Sequence, residues 1–153
     1  MPSRIPRCFH YIEAEPGQIV IELQPDQSLE NTSETLDGAV AAVLLDTAMC
    51  AAAGTLLPAE KRTTSLDLTV SYLKPLTIES GPIRAIGRVV DLGERTAYAA
   101  GEVRDGAASL AAHAVGLFSV ITCEQAHSSV PRTVSSKPGV WSTMRCTLDA
   151  IAY

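Results

Sequence analysis

The run from Gly38 to Ala53 constrains the fold more than any other part of the chain. It is built almost wholly from Ala, Leu, Val and Met and predicts a helix over 38–53. A helix apolar on nearly every side belongs in a protein interior, not on a surface. Asp37 or Thr35 supplies an N-cap, Gly54 stands at the C′ position, and Pro58 blocks continuation. At ~1.5 Å per residue such a helix is about 24 Å long. Its longest unbroken apolar stretch, Ala39 to Leu45, ends at Asp46 and is too short to span a bilayer.

The rest of the chain to residue 123 reads as strands. Gln18 to Leu23 has strand character after the Pro16-Gly17 turn signal, with a shorter strand over Phe9 to Ala14. The polar stretch from Pro25 to Leu36 predicts a loop. Beyond the helix, Ser65 to Leu73 alternates: Leu66, Leu68, Val70 and Tyr72 on one face, Ser65, Asp67, Thr69 and Ser71 on the other. Strands over 80–91, 96–104 and 109–123 follow, the last two joined by the hairpin signal Asp105-Gly106. Long antiparallel strands with one buried helix define an α+β domain whose sheet must wrap the helix. Residues 1–123 carry that domain, and 124–153 form a Ser-, Thr- and Pro-rich extension of unassigned role.

Composition narrows the function. A net charge of −5, with no run of Lys or Arg, argues against a nucleic-acid partner. Cys8, Cys50, Cys123 and Cys146 show neither a Cys-x-x-Cys pair nor zinc spacing with histidine. No signal-like segment precedes them, so the expectation is a cytoplasmic protein with reduced thiols, no metal and no membrane partner.

Asp46 is the residue that needs a reason. A carboxylate midway along a buried helix is costly unless paired, hydrogen-bonded or used, and Asp is a mediocre helix former. Two readings stand: a functional acid, or a structural Asp bonded to backbone or to an Arg across an interface. Gly38 is the second informative position. Its N–H in the first turn has no intrahelical partner and lies at the positive end of the dipole; the glycine either lets a ligand approach that amide or merely eases a tight helix entry. His10, His113 and His127 have no partners at metal spacing, and His113 reads as a core or interface histidine. Cys50 reads as a small buried hydrophobe.

The pattern Asn31-x6-Gly38-x7-Asp46-Thr-Ala-Met, followed by Ser65-x-Asp67-x4-Tyr72-x2-Pro75, resembles the hotdog thioesterase superfamily, and within it the phenylacetate-degradation type of acyl-CoA thioesterase. The likeness covers about residues 9–122 and includes Gly93-Glu94-Arg95-Thr96-Ala97. It implies a hotdog fold, an antiparallel sheet wrapped around one long helix, and hydrolysis of an acyl-CoA to free acid and coenzyme A without a cofactor. It further implies that Asp46 acts as general base or nucleophile and that the Gly38 amide polarises the thioester carbonyl. Asn31 would help position the nucleophile or water, and Ser65 would orient the attacking water. Where the family reads His-Gly-Gly, this chain reads Asp37-Gly38-Ala39. Asp37 then either opposes the charge developing on the carbonyl oxygen or turns away to cap the helix. Within the same fold a hydratase or dehydratase is the competing enzyme, and a non-catalytic acyl-CoA-binding protein is the competing class.

Gly38 and Asp46 lie eight residues apart, ~12 Å along one helix axis, too far to serve one carbon. If both roles hold, the two come from different chains of a homodimer with shared active sites. The resemblance implies the same arrangement, and pairing of such dimers into a homotetramer is compatible with it.

Overall fold

The computed structural model of the chain describes residues 9–122. Cys8, Cys123, Cys146, His127 and the 124–153 extension lie outside the described residues. Six strands and one long helix follow in the order β1 (Phe9–Glu15), β2 (Gln18–Leu23), α1 (Gly38–Gly54), β3 (Lys61–Tyr72), β4 (Ile83–Leu92), β5 (Thr96–Arg104) and β6 (Leu110–Thr122). The strands form one antiparallel sheet in the order β1-β2-β4-β5-β6-β3, which places β3 at an edge, paired along its length with β6. Short 3₁₀ turns occupy Gln27–Leu29 and Ile78–Ser80.

The helix lies in the palm of this sheet because the residues beneath it are small. Ala85 and Gly87 of β4, Ala97, Ala99 and Gly101 of β5, and Ala112, Ala114 and Gly116 of β6 are all buried. Ala48, Ala51, Ala52 and Ala53 meet them from the helix, and Leu44, Leu45, Met49, Ile19, Ile21, Ile83 and Phe118 fill the flanks. Each large aliphatic so buried contributes ~1.5–3 kcal/mol.

The sequence places most elements to within a few residues, with physically intelligible differences. The helix does not end in a left-handed glycine. Gly54 is its last, buried residue and Thr55 is the C-cap, in right-handed conformation. The Thr55 hydroxyl donates to Ala52 O at 2.7 Å and accepts from Gly17 N at 2.7 Å, tying the helix end to the β1–β2 turn. Strand β3 begins at Lys61, not Ser65, because Lys61 to Thr64 continue the ladder with β6. Ser80 belongs to a 3₁₀ turn closed by Thr77, and β4 starts at Ile83.

The predicted alternation along β3 fails at its start. A bulge between Ser65 and Asp67 inserts one residue opposite β6 and changes the parity of the strand. Ser65 therefore faces α1 together with Thr63, Leu68, Val70 and Tyr72, while Leu66 turns outward and is 58% exposed.

The helix is buried over its C-terminal half, from Thr47 through Gly54, but not on every side of its N-terminal half. Ala39 is exposed and Ala42, Val43 and Asp46 are half-buried. These positions recur at helical spacing, so they form one stripe that the sheet does not cover. Asp46 is thus not fully buried within the chain. The sheet wraps one side of α1, and Asp46 sits at the margin of the side left open.

Gly87 marks the closest approach of helix and sheet. A Cβ there would lie 2.3 Å from Ala48 C and 2.5 Å from Met49 N, both backbone atoms. Gly87→Ala is expected to force the helix off the sheet and cost about 3 kcal/mol in urea unfolding. Gly93→Ala, whose added carbon meets Thr96 O at 3.4 Å, is the control and should cost less than about 1 kcal/mol.

Candidate active site

The inner face of β3 runs antiparallel to α1 and meets it through three polar contacts. The hydroxyl of Tyr72 donates to the carbonyl of Gly38 at 2.9 Å. One helical stretch further on, Ser65 Oγ donates to Asp46 Oδ1 at 2.6 Å. One turn beyond Asp46, Cys50 Sγ lies 3.0 Å from Thr63 Oγ1, which donates to Cys50 O at 3.1 Å. The strand so fixes the rotation of the helix about its axis, and Asp46 emerges beside the uncovered stripe with one carboxylate oxygen held by a hydroxyl.

Helix entry is defined with the same economy. Asp37 has extended backbone (φ −56°, ψ 134°), and its side chain accepts from Ala39 N at 3.0 Å. Of the two readings of Asp37, the cap is the one observed. Val40 N donates to Asp37 O at 2.9 Å. Gly38 N–H has no acceptor among the described residues. Gly38 lines a cavity of about 270 Å³ together with Leu36, Val40, Tyr72, Leu76 and Ala112, with Asp37 and Lys74 contributing charge. Lys74 is not a free cation: its Nζ is 2.5 Å from Asp105 Oδ2, a contact that holds the Asp105 carboxyl below its usual range. Asp105 also accepts from Ala107 N and Ser109 N, so it organises the β5–β6 turn as well.

Of the four residues singled out from the sequence, the chain brings two together, Asp46 and Ser65. Gly38 stands at the far end of the exposed half of the same helix. Asn31 spends its side chain within its own loop, accepting from Ser33 N at 2.8 Å and donating to Thr35 Oγ1 at 2.9 Å. No hydrogen bond among the described residues joins it to the other three. Ser65 contacts the carboxylate directly, which makes it a holder of Asp46 within this chain.

The two histidines among the described residues stay outside the site. His113 is exposed on the opposite face of the sheet, in register with Glu102 and Ser71, so it is not a core residue: the small inward neighbours Ala112 and Ala114 leave it pointing out. His10 is exposed on β1. Cys50 is buried, as its sequence context suggests, and burial pushes its thiol up to about 11. Burial likewise pushes the nearby Tyr11 hydroxyl up to about 12, so both stay protonated near neutral pH. No group of three or more His, Cys, Asp or Glu that could hold a metal occurs among the described residues, and no described helix is long and apolar enough to cross a membrane.

Tyr72 and Thr63 were not picked out as functional from the sequence. The signal for Tyr72 was a tyrosine at the end of a strand, immediately before the Leu73-Lys74-Pro75 exit. Thr63 lies before the stretch whose alternation predicts the strand.

A model of the thioesterase superfamily matches residues 34–112. Among solved structures, a thioesterase from Haemophilus influenzae superposes with a TM-score of 0.71 at 21% identity, over 78% of this chain and 82% of its own. The PaaI protein of the Escherichia coli phenylacetic acid degradation operon gives 0.69 at 19%, over 75% and 80%. Zebrafish thioesterase superfamily member 2 gives 0.66 at 23%, over 73% and 80%. At these identities the likeness shows the shared fold, the hotdog. No curated protein matches the chain significantly.

Asp37→Ala removes the acceptor that caps Ala39 N–H. It is expected to lower stability by about 1 kcal/mol in chemical denaturation while leaving the far-UV spectrum of the folded protein unchanged.

Proposed function

From the premise that this chain belongs to the thioesterase superfamily, we propose that it hydrolyses an acyl-CoA thioester at sites shared between the two chains of a homodimer. The observation that carries the reading is the state of two groups. The Gly38 N–H at the positive end of α1 is unspent among the described residues, and the Asp46 carboxylate is half-exposed with one oxygen held by Ser65. One is suited to polarise a carbonyl, the other to take a proton or attack.

Because ~12 Å separates them along the axis, a second chain completes each site. Two features support that assembly. The stripe of Ala39, Ala42, Val43 and Asp46 is left uncovered by the sheet, and β3 is an edge strand whose outer row of backbone groups has no strand partner among the described residues. An antiparallel pairing of two helices across a two-fold axis sets Gly38 of one chain against Asp46 of the other.

In the proposed reaction the thioester oxygen accepts from Gly38 N–H, and the helix dipole stabilises the charge that develops there. Asp46 of the second chain removes a proton from water as its oxygen bonds to the carbonyl carbon, or its own oxygen attacks first and water then releases the acyl group. The carbon–sulfur bond breaks, the thiolate leaves as coenzyme A, and the acid is released. Ser65 orients Asp46. Asn31, whose own bonds are local, would act from the loop before the helix. No metal or redox cofactor enters this scheme.

Asp46→Asn is expected to fold and dimerise normally and to lose about 10²–10⁴-fold in turnover on the best substrate of an acyl-CoA panel. Near-wild-type turnover would remove the central assignment. Ser65→Ala is expected to lose about tenfold in kcat, as befits one hydrogen bond to a charged group.

Sharing is tested by mixing Asp46→Asn with Gly38→Pro chains. Proline deletes the N–H and fits the first helical position, and the extended backbone of Asp37 is already what a residue before proline requires. At statistical mixing half the dimers are hybrids with one intact site of two, so recovery should approach about a quarter of wild-type activity. Hybrids verified by mass spectrometry yet no more active than either parent would reject the shared site.

A further inference from the structure

The first turn of a helix is where an exposed backbone normally frays, because its N–H groups lack intrahelical partners. In α1 that turn is instead clamped by a splint formed at the exit of β3. Tyr72 donates to Gly38 O at 2.9 Å, and Leu36 N donates to Leu76 O at 2.8 Å just ahead of the helix. Between those two contacts, Lys74 anchors the segment to Asp105 at 2.5 Å.

Tyr72 is the member of this splint that touches the turn itself. It is 57% exposed, so its hydroxyl could be satisfied by water alone, yet it is spent on a backbone carbonyl. Its ring lies flush against the glycine: a Cβ on Gly38 would meet Tyr72 Cε1 and Cζ at 3.4 Å. Tyr72 and Gly38 line the same cavity. Asp37 grips the turn from the other side through Ala39 N and Val40 N. The two grips hold the peptide groups on either side of the Gly38 α-carbon, Asp37 O on one and Gly38 O on the other, and leave the Gly38 N–H unspent among the described residues.

We propose that Tyr72 is a positioning residue that steadies the Gly38 amide beside the cavity, its hydroxyl tethering the first turn through the following peptide group and its ring bracing it. The consequence for rate rests on the acyl-CoA hydrolase reading given above; the consequence for the amide does not. A donor to a developing oxyanion must sit within about 2.7–3.1 Å of it, and misplacement by about 1 Å costs as much as 10²-fold. A loosened turn lowers kcat more than it weakens binding, since the amide contributes most when charge develops.

Tyr72→Phe in the full chain keeps the ring and removes the tether. Heteronuclear NMR relaxation is expected to show a lower order parameter for the Gly38 amide, with the helix from Thr47 onward unchanged. On the best acyl-CoA, kcat is expected to fall about 3- to 10-fold with KM changed less than about twofold. Tyr72→Leu, which removes the ring as well, should increase the amide's mobility further and raise KM.

An unchanged Gly38 order parameter in both variants would overturn the proposal, whatever the rates. A fall in kcat with an unmoved amide would assign the hydroxyl to the substrate instead and also overturn it. If the wild-type chain hydrolyses no acyl-CoA, a mobilised Gly38 amide still supports the tether while the hydrolase reading fails.

Discussion

The backbone of α1 passes so near β4 that a methyl group on Gly87 would lie 2.3 Å from the carbonyl carbon of Ala48. That approach needs small residues on both surfaces, and the buried Ala and Gly of β4, β5 and β6 supply them. Once the helix is seated this deeply, little freedom remains in its height above the sheet. Close packing resolves height to fractions of an ångström, since even one added methylene is felt. What close packing among alanines does not resolve is rotation, because their surfaces are nearly featureless. The polar contacts with β3 complete the definition: Tyr72 with Gly38, Ser65 with Asp46 and Thr63 with Cys50 fix which side of the cylinder faces which way.

This division of labour explains why the polar groups are where they are. Each contact joins a hydroxyl on the strand to an oxygen on the helix. Cys50 O already belongs to the helix ladder and takes a second donor. Asp46 gains a partner at the border of the uncovered stripe, so its carboxylate is half-desolvated but not orphaned. The stripe itself remains apolar apart from Asp46, which suits a surface that another helix covers.

Much of this was legible in the residues. The helix start at Gly38 and β5 at 96–104 follow from composition and alternation, and of the two caps the sequence offers, Thr35 and Asp37, the structure uses Asp37. Cys50 as a buried small side chain followed in the same way. The orientation of Ser65 was not legible from alternation, because a bulge leaves no mark in a pattern read by twos. The half-exposure of Asp46 was not legible either. An all-apolar helix signals that every side is eventually covered, but it does not say how many of those sides one sheet reaches. The chain's own sheet covers part, and the sequence carries no separate sign for the remainder.

The bulge at Ser65–Asp67 has a consequence for how such a chain changes over generations. It concentrates the parity of β3 in a single residue of one strand, beside the position that holds Asp46. Loss of Ser65 itself would restore plain alternation, keep Leu68, Val70 and Tyr72 against the helix, and bring Leu66 into the place from which a hydroxyl reaches Asp46. The ladder with β6 would survive and so would the core, since neither depends on that residue. Retention of a fold and release of its acid from the strand are thus separated by a single codon's worth of chain, so a scaffold of this kind can free a carboxylate and keep a shape in one genetic step.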